Sequence, residues 1–262
     1  MSSTVNLVKL WQEMQSQACS CHDPLIQDVF ATNIGDHADF SSALASLLGT
    51  KLADRSISAT AITRLVASIL QDVPTIAEAA AEDILAIRDR DPACPDLVTP
   101  FLFFKGWQAL QAHRVSHHLW QRNRRHLAYH FQSRVNELFS IDIHPAARLG
   151  RRLSIDHGTG IVIGETCIIE DDVSLFQDVT LGGTGKLSGN RHPIVRRGAM
   201  IGSGAKVLGR LIIGENARIG AASVVLEDIP ANATAVGNPA RIIGTPKATS
   251  FPTTTNPAHP VA

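Results

Sequence analysis

The stretch VRRGAMIGSGAKVLGRLIIGENARIGAASVV, residues 195–225, places an apolar residue at every sixth position. These positions are Val195, Ile201, Val207, Ile213, Ile219 and Val225. A period of six fits neither an α-helix nor a strand with alternating faces. It is typical of a parallel β-helix, in which each hexad forms one flat side and three hexads complete a coil. The apolar residues are then expected to stack inward as ladders.

The same period extends upstream to residue 143 and is interrupted twice. The earlier positions are Ile143, Leu149, Ile155, Ile163, Ile169, Leu175 and Leu181. The thirteen hexads predict about four coils. Eight positions separate Ile155 from Ile163, and fourteen separate Leu181 from Val195. The second interval therefore predicts an extruded loop.

Each interruption carries a histidine, His157 in the first and His192 in the second. A solenoid gains no stability from such breaks, because they leave backbone groups unpaired and cost loop entropy. Each residue taken alone has a simpler explanation: a histidine at a bend is often a surface group, and Asp142 or Asp156 is able to cap a turn. Their coincidence with both breaks favours a functional site.

The first half of the chain predicts α-helices. One helix face with the spacing i, i+3, i+4, i+7 is formed by Leu7, Leu10, Trp11 and Met14. Thr75 and Glu78 predict a capping box. A longer helical stretch is predicted from about Leu102 to Phe139, because it contains almost no glycine or proline after Gly106.

The segment 113–134 contains five arginines, five histidines and no acidic residue. One interpretation is a helix that binds nucleic acid. The other is a basic face that docks on the more acidic first hundred residues. Docking is favoured, because nothing else in the chain supports nucleic-acid binding.

Composition excludes several classes of protein. The net charge is zero and the pI about 7.2, so no global field attracts nucleic acid or an anionic membrane. The N-terminal residues do not have the pattern of a signal peptide, and no run of 18 apolar residues predicts a membrane span. The four cysteines form no C-x-x-C pair and no disulfide framework. These features predict a reducing, cytoplasmic location.

Five solenoid motifs carry a resemblance to a known family. They are DIHPAARLG (142–150), DHGTGIVIGET (156–166), VTLGGTGK (179–186), RHPIV (191–195) and GNPARIIG (237–244). In order and spacing they resemble the serine O-acetyltransferases of the hexapeptide-repeat acyltransferase family. The helical segments RDRDPAC (88–94) and TPFLFFKGWQALQAHR (99–114) agree with this, so the resemblance covers residues 5–245.

The resemblance implies an N-terminal all-α domain at 1–141 that contributes to oligomerisation and to the serine site. It also implies a left-handed parallel β-helix acetyltransferase domain at 142–244. Left-handed crossovers break the usual rule for parallel strands, so the hand is taken from the family. The segment 245–262 is rich in proline and threonine and is predicted to be a disordered tail.

The family transfers an acetyl group from acetyl-CoA to the hydroxyl of L-serine and so makes O-acetyl-L-serine for cysteine synthesis. A serine hydroxyl is a poor nucleophile at neutral pH, and an imidazole suits the role of its base. His157 matches the family's catalytic base, and Asp142 matches the carboxylate that fixes the tautomer of this base. Cys167 falls on an inward position of the repeat, which predicts a core residue and no acyl-enzyme.

The resemblance also assigns the substrate contacts. L-serine is expected to bind to Asp91, Asp156, Arg191 and His192. Acetyl-CoA, a co-substrate, is expected along the solenoid edge, where Gly183, Ser203 and Ala221 match family positions. Lys186, Arg218 and Arg241 are candidate contacts for its phosphates, and a solvated surface explains each of these three equally well. No permanently bound cofactor and no metal are expected.

Members of the family form homotrimers that pair into a hexamer, and L-cysteine inhibits them. Charged residues make up 18% of this chain, against about a quarter in an average protein, which fits surfaces covered by further copies. Many members end in an isoleucine that enters the active site of O-acetylserine sulfhydrylase. This chain ends in Ala262, which argues against that complex.

Two alternatives stay open at this point. The first alternative is an acetyltransferase with the same scaffold but another hydroxyl or amine acceptor. The second is a trimeric zinc enzyme like the γ-type carbonic anhydrases. In the second case His144, His157 and His192 would supply the imidazoles. Asp156 and the GGTGK loop have no use in zinc chemistry, which argues against that alternative.

Overall fold

The structure is a computed structural model that describes residues 5–21, 23–186 and 188–244. Its first half is helical, as predicted. The helices are α1 (Leu7–Cys19), α2 (Pro24–Phe30, continued by a π-helical turn at Ala31–Gly35), α3 (Phe40–Leu52), α4 (Ala59–Asp72), α5 (Thr75–Arg90), α6 (Val98–Phe103), α7 (Lys105–Gln121) and α8 (Arg125–Phe139). None of the helices in these ranges is long and apolar enough to cross a membrane.

The predicted helical stretch from Leu102 to Phe139 is divided among three helices, because the chain bends at Phe104 and turns back at Asn123, whose φ is +58°. The capping box predicted at Thr75 is wrong: Pro74 is the N-cap of α5, and no side chain there accepts a hydrogen bond from the first turn.

The basic face of α7 and α8 docks only in part on the preceding helices. Arg114 forms an ion pair of 2.6 Å with the buried Asp83 of α5, and the guanidinium of Arg134 donates to two backbone carbonyls at the end of α3. Arg122 and Arg124 are exposed in the turn between the two helices. The docking interpretation is therefore correct for Arg114 and Arg134.

Within the described residues, the second half is a β-helix of fourteen short parallel strands, followed by a last strand that pairs antiparallel with the fourteenth. They are β1 (Ile141–Ile143), β2 (Arg148–Leu149), β3 (Ser154–Ile155), β4 (Ile161–Ile163), β5 (Ile168–Ile169), β6 (Ser174–Leu175), β7 (Thr180–Gly182), β8 (Ile194–Val195), β9 (Met200–Ile201), β10 (Lys206–Leu208), β11 (Ile212–Ile213), β12 (Arg218–Ile219), β13 (Val224–Val225), β14 (Thr234–Val236) and β15 (Arg241–Gly244). Three sheets form the sides, with orders β1-β4-β7-β10-β13, β2-β5-β8-β11 and β3-β6-β9-β12-β14-β15.

The predicted ladders are confirmed. Along one side, successive pairs join Ile143, Ile163, Leu181, Val207 and Val225, and all five side chains are buried. The number of coils is about five instead of four, because the solenoid continues past Val225 without its six-residue period. Ile229 bridges to Ile213, and Ala235 pairs with Ile219.

The helical half is fixed to the first coils by polar and close-packed contacts. The buried carboxylate of Asp83 accepts hydrogen bonds from Arg114 and Gln111 of α7 and from the backbone N–H of Leu153 in the solenoid. Gly106 of α7 lies so close to β3 that a Cβ at this position would be 2.1 Å from the carbonyl oxygen of Ile155. These contacts place α7 directly behind the corner that carries His157.

Candidate active site

The first break in the repeat forms a tight corner between β3 and β4. The Gly158 N–H donates to the Asp156 carbonyl across 2.6 Å, which closes a γ-turn around His157 with φ +56°. Gly160, with φ +82°, occupies the ordinary corner position and stacks on Asp178 of the next coil. The extra residues of this corner are therefore His157 and Gly158.

Glycine is required at position 158 for two reasons. Its φ is +75°, and a Cβ there would be 2.6 Å from the Ile141 side chain. The turn directs the His157 side chain away from the ladder, where it is 72% exposed. The break thus lifts an imidazole out of the core and leaves it accessible to a second molecule.

Asp142 lies on β1, next to this corner. The corner is held against the start of β1 by a 2.7 Å hydrogen bond from the Gly160 N–H to the Ser140 carbonyl. The Asp142 carboxylate accepts a hydrogen bond of 2.6 Å from Gln132 of α8. Within the described residues it accepts none from His157, whose Nε2 lies 3.8 Å from Asp156 Oδ1. The orienting role of Asp142 stays a prediction.

Asp91 belongs to the helical half but lies at its boundary with the solenoid. It is the C-cap of α5, and its carboxylate accepts a hydrogen bond of 2.8 Å from the backbone N–H of Ala93. The preceding Arg90 donates to the Arg152 carbonyl and forms a 2.8 Å ion pair with Asp172. The end of α5 is therefore anchored on the side of the solenoid that contains β3, the strand just before Asp156.

The second break forms the loop between β7 and β8, as predicted, and ends in Arg191 and His192. Arg191 forms an ion pair of 2.8 Å with Glu165, and this hydrogen bond holds the pKa of the Glu165 carboxyl below its usual range. The His192 ring is buried, with 7% of the residue exposed. Burial, followed by the charge of Arg191, lowers the pKa of His192.

The residues assigned to acetyl-CoA lie on several parts of the solenoid. Ser203 and Ala221 share an edge, where the next residue, Ala222, donates its N–H to the Ser203 carbonyl across 2.8 Å. Gly183 starts the loop, where a Cβ would be 3.4 Å from Arg191. The other three assigned residues are the exposed Lys186 of the loop, the half-buried Arg218 of β12 and the exposed Arg241 of β15.

Cys167 is a core residue, as the repeat predicts. Burial raises the pKa of its thiol to about 12, so this residue supplies no thiolate at neutral pH. His144 packs edge-on against Trp120 and Tyr129. In the described part of the single chain, His144, His157 and His192 do not meet, and no group of three or more His, Cys, Asp or Glu is arranged to hold a metal.

Sequence reasoning missed three residues next to the site. The Lys105 ammonium of α7 donates to the Thr159 hydroxyl in the His157 corner. Glu165 and Thr166 bind Arg191 and His192 from the neighbouring coil. The signal for Glu165 and Thr166 was their place at the end of the motif DHGTGIVIGET, one coil before the loop.

The chain matches a family model described as serine acetyltransferase, N-terminal, over residues 10–112. The serine acetyltransferase of Salmonella typhimurium is 47% identical over 239 residues, which cover 90% of this chain and 88% of the relative. That of Haemophilus influenzae is 46% identical over 241 residues, 91% of this chain and 90% of the relative.

Solved structures of serine acetyltransferases have the same fold. A complex with cysteine aligns with a TM-score of 0.91 at 45% identity and covers 93% of this chain and 96% of that one. A coenzyme A complex from Brucella abortus aligns at 0.90 and 40% identity, covering 94% of this chain and 98% of that one. The soybean enzyme with serine aligns at 0.88 and 41% identity, covering 92% and 100%. The predicted helical domain followed by a left-handed β-helix is confirmed, and the chain belongs to the serine acetyltransferase family, whose members are acyltransferases.

Proposed function

We propose that this protein transfers an acetyl group from acetyl-CoA to the hydroxyl of L-serine, forming O-acetyl-L-serine and CoA for cysteine biosynthesis. The observation that carries the proposal is the exposed imidazole of His157, lifted from the ladder in a chain 47% identical to a serine acetyltransferase. Cysteine, coenzyme A and serine are named as ligands of three solved relatives.

In this reaction His157 removes the proton of the serine hydroxyl while the oxygen attacks the thioester carbon. The same imidazole then donates that proton to the departing CoA sulfur, so no net proton is gained or lost. Asp142 is expected to accept the N–H of the other ring nitrogen when substrate is bound. The hydrogen bond from Gln132 fixes the Asp142 carboxylate on β1 and supports this role.

The acceptor amino acid carries a positive and a negative end. Asp91 and Asp156 supply carboxylates for its ammonium group, while Arg191 and His192 supply donors for its carboxylate. L-cysteine has the same two ends and nearly the same size as L-serine, so it is expected to compete for these residues and inhibit the enzyme. In this proposal the helical half contributes to substrate binding through Asp91, the C-cap residue of α5.

The long arm of acetyl-CoA is expected along the edge that carries Ser203 and Ala221, with Gly183 leaving room near the reacting end. Lys186, Arg218 and Arg241 are the proposed phosphate contacts. We expect a homotrimer that pairs into a hexamer. Apolar side chains on the outside of the solenoid support such packing, since Val162 is 40% and Leu226 51% exposed in the single chain.

The test measures release of the CoA thiol from acetyl-CoA with L-serine for the wild type, His157→Ala and the matched control His126→Ala. His126 is an exposed histidine of α8, away from both breaks. We expect serine-dependent release that falls by roughly 10²- to 10⁴-fold in His157→Ala only.

The other results would each reject a part of the proposal. If the wild type releases no thiol with L-serine, L-serine is rejected as the acceptor. A panel of hydroxyl and amine compounds then identifies the acceptor. A His157→Ala variant with full activity rejects His157 as the base.

A further inference from the structure

The tripeptide Gly164-Glu165-Thr166 contacts the end of the loop through each of its residues. The His192 ring lies against Gly164, where a Cβ would be 2.1 Å from the ring carbon Cδ2 and 2.2 Å from Nε2. Glu165 holds the Arg191 guanidinium at 2.8 Å. Thr166 binds the backbone N–H groups of Arg191 and His192 and the imidazole ring of His192. The segment Gly164–Thr166 therefore fixes the positions of Arg191 and His192, the two loop residues assigned to the substrate carboxylate.

The hydrogen bonds of Thr166 determine where the proton of His192 lies. The Thr166 hydroxyl oxygen accepts the backbone N–H groups of Arg191, at 3.0 Å, and of His192, at 3.1 Å. A hydroxyl has two lone pairs and one proton, so its proton is free for the third contact, His192 Nδ1 at 3.0 Å. The Thr166 backbone N–H donates to the same nitrogen at 3.1 Å.

With two donors directed at it, Nδ1 presents its lone pair, so the ring proton of the neutral imidazole lies on Nε2. Burial and the adjacent Arg191 lower the pKa of His192, which favours this neutral form. Nε2 has no hydrogen-bond partner among the described residues and is not sealed from solvent. The ring therefore offers one N–H donor to a second molecule and no free lone pair for a base.

We propose that Thr166 is a positioning residue that fixes His192 as a neutral Nε2–H donor to the carboxylate of the acceptor amino acid, beside the guanidinium of Arg191. The carboxylate as ligand rests on the proposed function. The tautomer rests on the hydrogen bonds alone. The two site histidines therefore have different roles. His157 is exposed and acts as the base, and His192 binds the carboxylate of the acceptor.

The proposal is tested with Thr166→Val, which keeps the shape but removes the hydroxyl, and with Thr166→Ser, which restores it. Thr234→Val is the matched control, a half-buried threonine of β14 whose hydroxyl makes no hydrogen bond within the described residues. The first readout is the ¹⁵N NMR spectrum of histidine-labelled protein, with the His192 signals assigned by their loss in His192→Asn. It requires neither substrate nor activity.

We expect an unprotonated Nδ1 and a protonated Nε2 for His192 in the wild type and in Thr166→Ser, and a mixture of tautomers in Thr166→Val. The KM for L-serine should rise roughly 10-fold in Thr166→Val, because the buried Nδ1 loses its hydroxyl donor, while the KM for acetyl-CoA stays unchanged. The pH at which the His192 ring titrates should rise, since the loosened ring is better solvated. Thr166→Ser and Thr234→Val should match the wild type.

Protonated Nδ1 in the wild type would overturn the proposal, and so would a Thr166→Val variant with unchanged NMR signals and unchanged KM for serine. If Thr166→Val fails to fold, the wild-type spectrum and the kinetics of Thr166→Ser still decide it. If the protein does not acetylate L-serine but His192 shows the expected tautomer, the proposed substrate is rejected. The role of Thr166 in fixing the His192 tautomer is then still supported.

Discussion

Replacing Gly106 by alanine should weaken both the fold and the reaction, because α7 touches the solenoid through the bare Cα of this glycine. The added Cβ would lie 2.1 Å from the Ile155 carbonyl oxygen and within 2.9 Å of two Ile155 side-chain carbons, whereas ordinary contacts begin at 3.4 Å. The helix or β3 must therefore move by about 1 Å. Ile155 stands two residues before His157, so the displacement reaches the proposed base.

Two opposing contributions set the magnitude. Overpacking a dense contact costs about 1–3 kcal/mol, and alanine gains at most about 1 kcal/mol over glycine as a helix former. The gain is smaller here, because Gly106 lies in the first turn of α7. We expect a net loss of about 1–2 kcal/mol in the free energy of unfolding and, since a shift of 1 Å at a reacting group costs about 10²-fold, a fall in kcat of that order.

Urea unfolding followed by circular dichroism measures the first quantity, and serine-dependent release of the CoA thiol measures the second. Gly35→Ala is the matched control, because a Cβ at position 35 would meet no atom within 4 Å. If Gly106→Ala unfolds at the same urea concentration as Gly35→Ala and keeps the same kcat, then α7 does not hold the His157 corner and the reasoning is refuted.

Two further predictions concern buried charge. Burial lowers the pKa of His113 to about 3, against 6.5 in an unfolded chain, so the native state excludes a proton that the unfolded state binds. The native state is therefore destabilised as the pH falls below 6.5. The free energy of unfolding, measured with urea, should fall by roughly 2 kcal/mol between pH 7 and pH 5, and this fall should be absent in His113→Gln. An equal loss in the variant would contradict this. Asp83→Ala should lower the free energy of unfolding by about 3–5 kcal/mol, because Arg114 stays buried without its partner. The exposed Asp28→Ala is the control, and equal stability of both variants would argue against a structural ion pair.

Where the sequence-based predictions were wrong, identifiable signals were weak. The last coil was missed because Ile229 follows Val225 by four residues, so a shortened side has no six-residue period. The helix break at Asn123 was missed because asparagine at φ +58° differs little in a sequence from asparagine on a helix surface. The predicted tail at 245–262 lies outside the described residues.

The amino-acid sequence by itself determined the solenoid, its three sides, its inward ladders and the two places where the repeat breaks. It did so because stacking demands the same residue type at the same phase in every coil, and that demand is local and periodic. The same periodicity marked Cys167 as core and the segments with His157 and His192 as exceptions.

Only the tertiary structure decided the contacts between residues far apart in the chain. Asp83 meets Leu153 and Thr166 meets His192 across separations that no periodic pattern records. The exposure of His157, the burial of His192 and the proton on its Nε2 all depend on such contacts. A hydrogen bond is specified by the position of two atoms in space, and those positions exist only after the coils have stacked and α7 has packed against them.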